Sequence, residues 1–151
     1  MISNNMTRKK IGIITFHASH NYGSMLQAYA LQQTVLEMGL DCEIINYRTK
    51  IQTEHFKPPF MRGTMPGKIK RFILFLPYCY SLLKKFNLFE EFLSNHYKLS
   101  DKEFLSLSEL SEAKLPYDVI ISGSDQIWNT YCFDFDWAYF LPFAKSAHRV
   151  A

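Results

Sequence analysis

Ile11-Gly12-Ile13-Ile14-Thr15-Phe16 is an almost unbroken apolar run, rich in β-branched residues. Without polar alternation such a strand has no face to turn toward water. It is stable where both faces are covered, as in a parallel sheet flanked by helices. Beyond it, Met25, Ala28, Tyr29, Leu31, Val35, Leu36 and Met38 recur at helical spacing. They predict a helix from Ser24 to Met38, with Gly39 as its stop. Asp41-Cys42-Glu43-Ile44-Ile45-Asn46-Tyr47 then reads as a second strand. Strand, helix and strand between Ile11 and Tyr47, with short connections, make a βαβ unit, since two parallel strands need a crossover of this length.

Tyr117 to Ser122, after Pro116, reads as a third strand, and His148-Arg149-Val150-Ala151 as the start of a fourth. Between these, Arg48 to Lys68 carries Pro58, Pro59, Gly63, Pro66 and Gly67, which predicts a loop with little regular structure. Ile69 to Tyr97 reads as two helical pieces split near Pro77. The second piece has an apolar stripe through Phe86, Phe89, Phe92 and Leu93, with charge on its other side. Ser108 to Glu112 suits a short helix. The expected fold is α/β, a parallel sheet with flanking helices, as one domain over 1–151 with a loop-and-helix insertion at 48–100. The sequence stops within its last strand, so a fragment of a larger protein is expected.

Composition narrows the functional classes. With 48% hydrophobic and 21% charged residues the chain is not of disordered type. Its net charge of +3 is modest and its basic residues are scattered, which argues against nucleic acid as a partner. Aromatics at 16% suit a large core or a surface that a partner covers. Cys42, Cys79 and Cys132 have neither CxxC nor zinc-ligand spacing, so no metal is expected and reduced, mostly buried thiols in a cytoplasmic protein are. Phe72 to Leu83 is apolar but broken by Pro77 and flanked by Lys70-Arg71 and Lys84-Lys85. It falls short of the roughly 20 residues a membrane span needs. It either packs on the core, the commoner fate, or lies on a membrane surface or a partner helix.

Ligands of doubly wound sheets bind outside the carboxyl ends of the strands, where strand order reverses. If the first strand lies between the second and third, the loops after Phe16 and Ser122 open onto one crevice. The first loop holds His17, His20, Asn21 and Gly23 before the helix. A helix start of that kind is either a phosphate, carboxylate or sugar cradle or a capped βα turn. A single glycine and no following lysine exclude the dinucleotide and Walker fingerprints. Two histidines three apart lack a third metal ligand. Histidine as a residue type titrates near neutrality, so proton transfer suits the loop better. Asp125, in the second loop, is either a general base or a turn cap. Trp128, Tyr131, Phe133, Phe135 and Trp137 form either a sugar-stacking platform or core beneath a loop.

Gly12 to His17, with Asn21-Tyr22-Gly23-Ser24 and Leu26-Gln27-Ala28-Tyr29-Ala30-Leu31-Gln32, resembles the amino-terminal signature of the polysaccharide pyruvyl transferase family. Asp118 to Asn129, containing Gly123-Ser124-Asp125-Gln126-Ile127-Trp128-Asn129, resembles a second signature of that family. The resemblance implies a Rossmann-like domain, the amino-terminal half of a GT-B-like two-domain enzyme whose second domain is absent here. The implied activity is transfer of a pyruvyl group from phosphoenolpyruvate to a sugar hydroxyl in cell-surface glycan biosynthesis, with no cofactor. It makes His20 and Asp125 the candidate proton-transfer groups. Asn21, Gly23, Ser24, Gln27, Gly123, Ser124, Gln126, Trp128 and Asn129 become candidate substrate contacts. The implied partners are phosphoenolpyruvate and a glycan or lipid-linked sugar acceptor, in the cytoplasm or at the inner face of the membrane. A peripheral membrane contact and an oligomer remain open. Neither loop holds Arg or Lys, so the cationic clamp for the donor is expected in the other half, and this chain alone is expected to be inactive. The rival readings are half of a GT-B-type glycosyltransferase and a non-catalytic binding or assembly module.

Overall fold

The structure is a computed structural model that describes residues 9–123 and 126–151. In chain order the regular elements are β1 (Lys10–Ile14), α1 (Tyr22–Glu37), β2 (Asp41–Ile44), α2 (Lys50–Phe56), α3 (Met65–Leu74), α4 (Cys79–His96), α5 (Leu107–Glu112), β3 (Val119–Ser122) and β4 (His148–Val150). The four strands form one all-parallel sheet in the order β2-β1-β3-β4. The first strand is therefore flanked by the second and third, the Rossmann-like order that brings their exit loops to one edge. Register places Ile11 beside Cys42 and Val119, and Ile13 beside Ile44 and Ile121.

The alternation along β1 distributes its side chains between two cores. Ile11 and Ile13 pack with Met25, Ala28 and Val35 of α1 and with Phe89 and Leu93 of α4. Ile14 and Phe16 enter the opposite core with Ile45, Tyr47, Leu110 of α5, Ile120 and Tyr139. Fully burying an isoleucine or phenylalanine is worth about 1.5–3 kcal/mol, so coverage of both faces accounts for the apolar run. Gly39, at φ +76°, ends α1 by donating its N–H to the Leu36 carbonyl at 2.9 Å.

The segment 48–68 is more regular than its prolines and glycines suggested. Thr49 opens α2 with a capping box: its hydroxyl accepts from the Gln52 amide at 3.3 Å, and Gln52 Oε1 accepts from the Thr49 amide at 3.0 Å. Pro66 sits in the first turn of α3, where a missing N–H leaves no helical bond unmade. Pro77 does divide the helical region, within the 3-10 turn Leu76–Tyr78 between α3 and α4. The stretch from Phe72 to Leu83 does not turn to the core; no residue of α3 is buried. Of the cysteines only Cys42 is buried, and burial pushes its thiol up to about 11; Cys79 and Cys132 are half-buried. The expectation of mostly buried thiols thus holds for one of the three.

Gly12 is required by packing. A Cβ there would lie 2.8 Å from Cδ2 of Tyr117 and 2.9 Å from its Cγ. That ring is held by its hydroxyl, which donates to Glu43 Oε1 at 2.6 Å, and Glu43 in turn pairs with Lys10 at 3.0 Å. Gly12→Ala is therefore expected to lower unfolding stability by about 1–3 kcal/mol, read as a shifted urea midpoint with unchanged slope.

Candidate functional site

The loop leaving β1 folds its first histidine inward. His17 is fully buried, with Nδ1 3.2 Å from the Thr15 carbonyl oxygen and Nε2 3.2 Å from Asn46 Oδ1. Burial outweighs these contacts and lowers its pKa to about 4. His17 is thus neutral at pH 7 and ties the β1 exit loop to the segment after β2.

His20 stands apart in geometry. Its φ of +47° is uncommon for a residue with a side chain, although histidine enters this region more readily than most. The turn directs the ring toward α4, where Nε2–H donates to Glu90 Oε1 at 2.7 Å. The imidazole stacks with Phe56 and Phe89, at centroid distances of 5.4 and 5.0 Å, and lies tilted against Phe86 at 5.1 Å. Arg48, from the segment after β2, grips the same carboxylate: its Nη2 donates to Glu90 Oε1 at 2.8 Å and its Nη1 to Oε2 at 3.3 Å. Burial alone would raise the Glu90 pKa. The hydrogen bonds from His20 and Arg48 and the guanidinium charge overcome that and hold it at about 2. With Nε2 committed to Glu90, any proton exchange by His20 with a ligand has to pass through Nδ1. A carboxylate behind a histidine fixes the orientation of its ring, as in hydrolytic triads.

Two cavities of about 260 Å³ each border this cluster. One is lined by His20, His55, Lys57, Arg62 and Lys85 among others, the second by His20, Arg48, Glu90 and Glu103. Cations reach the site from the insertion and from the segment after β2, where the two signature loops have none. A larger apolar groove of about 530 Å³ runs between the start of α1 and α4.

The other sequence-predicted residues divide by role. Asn21 caps α1; its Oδ1 accepts from the amides of Gly23 at 2.9 Å and Ser24 at 3.3 Å. Those two N–H groups, which an anion cradle would use, already have a partner in the Asn21 side chain, as in a capped βα turn. Gly23 accommodates that cap, since a Cβ would come within 3.2 Å of Asn21 Oδ1. Gln27 is exposed on α1. Gly123 serves packing: its Cβ would meet Leu31 Cδ2 of α1 at 2.4 Å. Ser124 and Asp125 lie outside the described residues. Asn129 Nδ2 donates to Gln126 Oε1 at 3.0 Å. Trp128, Tyr131, Phe133 and Trp137 are exposed rather than core, and Trp137 packs on Phe140 with centroids 5.4 Å apart. Among the described residues no three His, Cys, Asp or Glu side chains converge as a metal site.

Glu90, which pairs with His20, and Arg48, which grips the same carboxylate, carry no motif. Glu90 lies 70 residues away along the chain, and its local signal is only a carboxylate beside an apolar stripe.

The buried His17 makes stability depend on pH with a definite sign. The unfolded histidine takes up a proton near pH 6.5, whereas the folded one does so only near 4. Stability is then full above about pH 6.5 and falls as pH drops toward 4, by about 3 kcal/mol. Chemical unfolding across this window is expected to show that slope in the native protein and to lose it in His17→Gln. The Glu90 contribution disappears at lower pH, between its ordinary value of 4.5 and about 2, so the two are separable.

A family model described as polysaccharide pyruvyl transferase matches residues 21–150 of the 151-residue chain. Neither the curated proteins nor the solved structures contain a significant match. The matched span opens on the Asn21 cap and includes β2, the Arg48 and Glu90 partners, β3 and the aromatic segment after it. By that coverage the chain belongs to the polysaccharide pyruvyl transferase family.

Proposed function

We propose that the protein transfers a pyruvyl group from phosphoenolpyruvate to hydroxyls of a glycan or lipid-linked sugar, in cell-surface glycan biosynthesis. The sheet edge after β1 and β2 forms one wall of the transfer cleft. The observation that carries the reading, beside the family itself, is a carboxylate-oriented histidine next to a cation-lined cavity. In ketal formation the methylene carbon of the donor takes a proton and one sugar oxygen bonds to the adjacent carbon. A second sugar oxygen then displaces inorganic phosphate, and both hydroxyl protons are released. This requires an acid and a base in one place, together with positive charge for the donor's carboxylate and phosphate.

In this scheme His20 moves the proton through Nδ1 while Glu90 holds its Nε2. Arg48 keeps Glu90 ionised. Lys57, Arg62 and Lys85 surround a cavity of suitable charge for the donor. Lys57 is paired with Glu54, and the Arg62 Nε–H donates to the Lys57 carbonyl at 2.6 Å, so the donor competes with existing partners for these cations. Gln27, Gln126, Trp128 and Asn129 are assigned to the acceptor, with the exposed aromatics as a stacking surface. Asn21, Gly23, Ser24 and Gly123 shape the two loops around it, Ser124 is a further candidate substrate contact, and Asp125 is the second candidate proton-transfer group.

The test is phosphate release and formation of pyruvylated product from phosphoenolpyruvate and a panel of sugar acceptors. His20→Asn is expected to reduce turnover by about 10²–10⁴-fold in protein shown by circular dichroism to be folded. Retained turnover would remove His20 from the chemistry. Asp125→Ala tests the second candidate in the same assay; turnover equal to that of the native protein takes Asp125 off the list. Product formed only with a nucleotide sugar as donor would favour the glycosyltransferase reading instead.

A further inference from the structure

The segment between Glu54 and Glu90 contains seven basic residues (Lys57, Arg62, Lys68, Lys70, Arg71, Lys84 and Lys85) and no acidic one. It thus holds seven of the chain's 17 Lys and Arg residues and none of its 14 acidic ones. The same segment exposes a run of large apolar side chains. On α3, Met65, Ile69, Phe72 and Ile73 recur at helical spacing, and Leu76 continues the row into the following turn. None of these five is buried, and Ile69, Ile73 and Leu76 are 57%, 67% and 58% exposed. Tyr78, Tyr80 and Leu83 prolong the apolar surface into α4. The Phe72 ring lies 6.0 Å from that of Phe60.

We infer that this arm, Met65 to Leu83, docks on the surface of an anionic phospholipid membrane. An amphipathic helix with an apolar row, aromatic residues and flanking lysines lies in the interfacial plane, its apolar face among the acyl chains and its cations among the headgroups. Anionic lipid supplies the negative charge that the segment itself lacks. A second copy fits less well, since it would set two sets of like charges face to face. A protein partner fits less well too, because interface cores are depleted in lysine. Among the described residues no helix is long and apolar enough to cross a membrane, so the contact is peripheral. The inference rests on surface composition and is independent of the reaction assigned above.

Co-sedimentation with vesicles decides it. The protein is expected to bind vesicles of phosphatidylglycerol mixed with phosphatidylcholine, to ignore phosphatidylcholine alone, and to be released by salt. Ile69→Ser with Ile73→Ser, and separately Lys68→Gln with Lys70→Gln, should each weaken binding by about tenfold or more. None of the four side chains is buried, so circular dichroism and the unfolding midpoint should not move. Absence of binding to either vesicle would overturn the inference, as would equal binding by the variants. A dimer that Ile73→Ser converts to monomer, without vesicle binding, would instead make a second copy the occupant.

Discussion

The architecture depends on burying both faces of β1. A strand with isoleucines on each side has to find apolar cover above and below. Here α1 and α4 provide one layer, while α5 with the segment around Tyr139 provides the other. Parallel neighbours on both edges satisfy its backbone groups. With β1 central, the chain after each of the first three strands emerges at the same edge of the sheet. The position of the site follows from this, before any catalytic residue is considered.

Electrostatics then join the insertion to that edge. Glu90 on α4 receives His20 from the β1 loop and Arg48 from the segment after β2, so three distant parts of the chain meet on one carboxylate. An ion pair of this partly buried kind owes as much to hydrogen-bond geometry as to charge, since desolvation opposes it. The phenylalanines around His20 exclude water and strengthen the contact. The same insertion segregates charge: its acidic residues are Glu54 on one side and Glu90 and Glu91 on the other, and the basic, apolar arm lies between. One end of α4 therefore serves the site while the other belongs to the arm.

The strands and the βαβ unit were legible because their signals are local: β-branched runs, a helical period and a glycine in the left-handed region at Gly39. The capping box Thr49-x-x-Gln52 was equally local, but the neighbouring prolines and glycines masked it. Pro66 marks the start of a helix, although proline in such company usually signals a loop. Of the first loop, Asn21, Gly23 and Ser24 were read for ligand binding or capping, and their geometry is that of a cap. His20 keeps its candidacy on account of Glu90 and Arg48, which no spacing rule connects to it.

Residue types and periodicity by themselves determined the fold class and the central strand, because backbone preference and two-sided burial act over a few neighbouring residues. Tertiary structure alone decided which histidine is buried and which is paired, where the cations gather, and which helix has no core to face. Those outcomes depend on contacts between residues tens of positions apart, and on desolvation. Neither quantity exists until the chain has closed on itself.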